Sequence, residues 1–114
     1  MKKYNIQNYV RYKHDMSDVL KRLPDLPYEE YSKDQLIAKF LPLVENLARK
    51  FSTSQQAIGV MTINDLIQEG CYGLCAGVSR IDWETINAAN DKEKTLKSFL
   101  SKRIKGAIRR GIDS

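Results

Sequence analysis

Three glycines, Gly70, Gly73 and Gly77, fall inside a stretch whose apolar residues Ile63, Leu66, Ile67, Cys71, Leu74, Val78 and Ile81 keep helical spacing. Each glycine costs about 1 kcal/mol against alanine in a helix interior. Three of them therefore point to close backbone approach by a neighbouring helix, which commits the chain to helix-on-helix packing. Thr62 followed three residues later by Asp65 reads as a capping-box start for this helix.

The remaining patterns are helical too. Ser32 with Gln35 fits a second capping box. Beyond it Leu36, Ile37, Phe40, Leu41, Val44, Leu47, Ala48 and Phe51 hold helical spacing across Pro42, which predicts a helix that is kinked or divided there. Residues 1–23 mix Tyr4, Ile6, Tyr9, Val10 and Tyr12 with charges and read as a helix of undefined start, ended by a turn or extended linker at Pro24-Asp25-Leu26-Pro27. Ser52 to Gln56 is a polar connection. Asp82 to Thr95 reads as a loop with one helical turn, and a last helix is expected from about Thr95. Repeats and β-type alternation are missing, so the expected fold is all-α, a compact helical bundle, with an N-terminal helical extension and linker over 1–31 and a helical domain over 32–114.

A chain of 114 residues, 42% hydrophobic and 29% charged, suits one domain with a modest core. It shows no apolar run long enough to span a membrane and no apolar signal-peptide core after Met1-Lys2-Lys3-Tyr4, which leads to the expectation of a cytoplasmic protein. Cys71 and Cys75 lie four apart in one predicted helix without further ligands, so they read as packing residues, and no metal or cofactor is expected. His14, the sole histidine, has Asp15 beside it but no nucleophile nearby in sequence, and no phosphate-binding glycine loop follows a strand; no catalytic residue is expected.

Charge is unevenly placed. Residues 96–114 carry six cations against Asp113, while residues 1–95 hold thirteen of each sign, so the whole excess of +5 lies at the C-terminal end. A localised positive footprint suits a polyanion, although a solvated terminal helix would carry the same residues. On a helical wheel Leu96, Leu100, Ile104, Ala107 and Ile108 share one arc, and Lys102, Arg103, Gly106, Arg109 and Arg110 gather opposite with Phe99. Cations around a ring suit a single strand, because Lys and Arg neutralise phosphates while a ring stacks on any base. Phe99 at the edge of the core is the competing placement. On the glycine-bearing helix Asp65, Gln68, Glu69 and Tyr72 form one polar stripe, able to make directional contacts with a basic partner or simply to face water.

Asp65-Leu66-Ile67-Gln68-Glu69-Gly70, with Cys71-Tyr72-Gly73-Leu74 after it, resembles the core-binding helix of bacterial RNA polymerase sigma factors of the sigma-70 family. Leu41-Pro42-Leu43-Val44-Glu45-Asn46-Leu47-Ala48 upstream resembles another helix of domain 2 of that family. Lys102-Arg103-Ile104-Lys105-Gly106-Ala107-Ile108 downstream is similar to a segment of its alternative members. The likeness covers about residues 33–112, in the family's order and with a gap at 83–95. It implies a sigma domain 2 fold and a transcription-initiation factor, not an enzyme. Asp65, Gln68, Glu69 and Tyr72 would bind the clamp helices of the polymerase's largest subunit. Phe99, Lys102, Arg103, Lys105, Arg109 and Arg110 would hold the non-template strand of the minus-ten promoter element and help melt it, in a cytoplasmic, nucleoid-associated protein.

Departures from the family's pattern refine this expectation. The adjacent tryptophans of primary factors match Lys102 and Arg103 here, so the melting wedge is missing in its usual form and efficient unaided melting is not expected. Residues that help choose the upstream base pair match Gly106 and Arg109, and Arg103 suits the flagellar, sporulation and stress-response types. Trp83 has no assigned counterpart. The chain ends at Ser114 without the later sigma domains, which leads to the expectation of a fragment, or of a reduced factor of bacterial or phage origin. The partners expected beyond core polymerase and promoter DNA are a second polypeptide supplying those domains or an anti-sigma factor. The alternative function is a regulator that occupies the sigma site on the polymerase without reading DNA.

Overall fold

The computed structural model describes residues 14–15, 17–53 and 61–113. The expected helical residues Tyr4, Ile6, Tyr9, Val10 and Tyr12 lie outside them, as do Ser54, Gln55 and Gln56 of the polar connection; residues 14–15 and 17–21 are helical. A 3-10 turn at Tyr28–Glu30 precedes four helices, α1 (Lys33–Ser52), α2 (Ile63–Val78), α3 (Trp83–Ala88) and α4 (Lys92–Asp113). Among the described residues there is no strand, and the fold is an all-α bundle.

Local chemistry sets the starts of these helices. The Ser32 hydroxyl accepts from Gln35 N at 3.1 Å, and Gln35 Oε1 accepts from Ser32 N at 2.9 Å, which closes the expected capping box of α1. Thr62 and Asp65 do the same for α2 at 3.2 and 3.1 Å. Each box satisfies two backbone donors that the first turn would otherwise leave open. Pro42 neither divides nor ends α1, contrary to one reading of the sequence. It lies exposed in the middle of a helix whose Leu36, Ile37, Ala38, Phe40 and Leu41 on one side and Val44, Leu47 and Ala48 on the other are all buried. Packing on both flanks outweighs the hydrogen bond that Pro42 cannot donate.

The segment read as a loop holds more helix than expected. Asp82 accepts from Thr85 N at 3.4 Å and from its hydroxyl at 2.8 Å, which starts α3 and lowers the Asp82 carboxyl below its usual range. Asp91 accepts from Lys94 N at 3.1 Å, so α4 opens at Lys92, three residues before the expected Thr95. Only Ile86 of α3 is buried, too little for a periodic signal.

α2 is the central layer, packed on α4 along one side and α1 along the other. Leu66, Leu74, Leu96, Leu100, Ile104 and Ile108 are fully enclosed there, and burial of such a side chain is worth about 1.5–3 kcal/mol. The α2 glycines sit at the tightest points. A methyl on Gly73 would lie 2.7 Å from the Ala107 Cβ and 2.7 Å from the Arg103 carbonyl oxygen, and one on Gly77 would lie 3.2 Å from Leu100. The order of these contacts makes α2 and α4 antiparallel.

Preceding α1, the Tyr31 hydroxyl donates to the Pro24 carbonyl at 2.6 Å and accepts from Leu26 N at 3.1 Å. Tyr28 and Tyr31 pack against the core, Lys39 lies over both rings at 5.6 and 5.9 Å, and Asn87 of α3 donates to Glu29. Burial first, then the Glu93 carboxylate, raises the Tyr28 hydroxyl above its usual range.

Cys71 and Cys75 are buried in the α1/α2/α4 core. Burial, then the neighbouring Cys75 and Glu45, pushes the Cys71 thiol up from about 9 to about 12. The unfolded chain releases this proton near pH 9 and the folded one keeps it. Stability from the neutral thiol is therefore complete below pH 9 and is lost as the pH climbs toward 12. Between pH 8 and 10 the wild type should lose about 1 kcal/mol more than Cys71→Ala in urea titrations. Identical pH dependence of the two proteins would contradict a shielded thiol.

Candidate functional site

Two surfaces of opposite character lie on the α2/α4 pair. On α2, the capping box fixes where the helix begins, and from that start Asp65, Gln68, Glu69 and Tyr72 recur on one side, away from the buried Leu66, Ile67, Cys71 and Leu74. Asp65 is already engaged, since its carboxylate accepts from Thr62 N. Gln68 and Glu69 are half-buried, and Tyr72 is 39% exposed, one of the few large apolar side chains among the described residues that face solvent. The last turn of α4 borders this stripe: a methyl added at Gly111 would stand 2.7 Å from Glu69 Cγ and 3.0 Å from its Cδ. The sequence pattern shows the stripe but not Gly111, whose relevance depends on how α4 returns along α2.

On α4, Phe99, Lys102, Arg103, Gly106 and Arg110 line an open hollow of about 370 Å³. None of these five is acidic. Gly106 leaves room at the centre, where an added methyl would meet only Arg110 Nη1 at 3.5 Å. Phe99 occupies both placements considered from the sequence, because it is half-buried against the core and also borders the hollow. The Arg103 guanidinium lies over its ring at 5.2 Å.

The basic arc read from the wheel separates into two groups. Arg109 is absent from the hollow's lining; its guanidinium lies over Phe51 near the end of α1 at 5.7 Å. Lys105, half-buried, is likewise outside the lining. Phe51 and Gly77 enter the surroundings of these cations from α1 and α2, contacts that a wheel of one helix cannot contain.

His14 is exposed, and among the described residues no polar or charged side chain is buried. Among them, too, no group of three His, Cys, Asp or Glu side chains is placed to share a metal ion, and no helix is long and apolar enough to cross a membrane. The chain matches no protein-family model, no curated protein and no solved structure.

Proposed function

We propose that this chain acts as a sigma factor domain 2, a binding protein that docks on RNA polymerase core and holds promoter DNA opened at the minus-ten element. The observation that carries this reading is the hollow on α4, three cations around a half-buried ring with no carboxylate in its lining. Phosphates of a single strand suit the cations, and an unpaired base suits the stacking surface. The α2 stripe supplies the second half of the reading, because Gln68, Glu69 and Tyr72 are held on a helix fixed by its capping box and offer acceptors to basic groups of a partner. The likeness of residues 65–74 to the core-binding helix names that partner as the clamp helices of the polymerase.

Binding of a labelled single-stranded minus-ten oligonucleotide, by the protein bound to core polymerase, tests the reading across a salt series. Lys102→Gln and Arg110→Gln should each weaken binding and lower the salt slope by about 0.7 per lost phosphate contact. Lys105→Gln and Arg109→Gln, outside the hollow, should do less. Core binding without any retention of DNA would favour the regulator that occupies the polymerase without reading promoters.

A further inference from the structure

We infer that Arg103 is a stacking residue, its guanidinium laid on Phe99 to form a two-layer platform for an unpaired nucleobase. This rests on the nucleic-acid reading of the α4 hollow and assigns a role there that formal charge does not suggest. Three observations converge on it. The guanidinium carbon lies 5.2 Å from the centre of the Phe99 ring, within the range of a cation–π pair. The stem of Arg103 is confined by α2, because a methyl on Gly77 would stand 3.3 Å from both its Cβ and its Cγ. Phe99 itself is packed against the core, so the guanidinium covers ring surface on the hollow's side, and Arg103 is exposed beyond it.

A base entering the hollow thus meets a guanidinium that lies over an aromatic ring, its carbon 5.2 Å from the ring centre. Guanidinium is planar and stacks, whereas an ammonium is a compact, strongly hydrated point charge. Lysine at 103 would keep the charge and lose the plane. Lys102 and Arg110 remain for phosphates, and Arg103 reads the presence of a base.

The test compares two oligonucleotides of equal length and charge, one carrying bases throughout and one abasic at its central positions, by fluorescence anisotropy with the protein bound to core polymerase. The wild type should prefer the base-bearing strand by about tenfold. Arg103→Lys should reduce that preference to near unity while the salt slope stays the same, and Phe99→Leu should reduce it as well. Lys102→Gln should weaken both strands equally. Circular dichroism of each variant verifies that the helices persist. A tenfold preference retained by Arg103→Lys would overturn the platform and leave the hollow as a nucleic-acid site. Failure of the wild type to bind either strand would overturn the nucleic-acid reading and the platform with it.

Discussion

Alanine at Gly73 is expected to destabilise the domain by about 2 kcal/mol, although alanine is the better helix former by about 1 kcal/mol. The added methyl would stand 2.7 Å from the Ala107 Cβ, 2.7 Å from the Arg103 carbonyl oxygen and 3.1 Å from the Ile104 Cα. Two of those three atoms are backbone, and none can turn aside by changing a rotamer. The helices must separate, which opens gaps along the interface that buries Leu74, Leu100 and Ile104. Gly70 should be less sensitive: its hindrance comes from side chains, Val44 Cγ1 at 2.7 Å and Ile104 Cγ2 at 3.3 Å. Gly77, with nothing nearer than 3.2 Å, should be milder still, and Gly106→Ala should raise stability by a few tenths to about 1 kcal/mol, since only the far end of Arg110 stands near it. Urea unfolding of the four alanine variants gives the ranking. A Gly73 variant as stable as the Gly106 variant would contradict the close packing of α2 on α4.

That ranking marks how far a sequence can be read. Both capping boxes were legible because Ser32 with Gln35 and Thr62 with Asp65 act within one turn, and local hydrogen bonds depend on local spacing. The core face of α4 was legible for the same reason: Leu96, Leu100, Ile104, Ala107 and Ile108 are all buried as the wheel places them. Close approach along the α2 glycines could be anticipated, but not that Gly73 meets the backbone of α4 while Gly70 meets side chains. α3 was expected only as one helical turn without bounds, because six residues with one buried side chain, Ile86, are too short for periodicity, and its Asp82 cap is an isolated signal. Within the candidate site, the hollow's five residues all come from one helix and could be grouped from the sequence. The Phe51 ring under Arg109 and the Gly77 backbone beside Arg103 could not, since they belong to α1 and α2.

The largest effect on binding is expected from the double change Gln68→Ala with Glu69→Ala. Both side chains are half-buried on the exposed side of α2, away from the buried Leu66, Ile67 and Cys71, so helicity should survive. Association with core polymerase should weaken by about 2 kcal/mol or more, roughly thirtyfold in Kd, as for paired groups that desolvate in an interface. Gly111→Ala offers a second handle that leaves the stripe's composition alone. Its methyl would stand 2.7 Å from Glu69 Cγ, and a glutamate side chain can swing where a backbone cannot. The variant should therefore unfold at or above the wild-type urea midpoint yet bind core several-fold more weakly, because the Glu69 carboxylate no longer points as it did. Loss of affinity without loss of stability separates a contact surface from a merely structural helix. Pull-down of core polymerase at wild-type levels by the double variant would remove the α2 stripe from the interface, and an unaffected Gly111 variant beside a defective double variant would show that presence of the carboxylate matters and its direction does not.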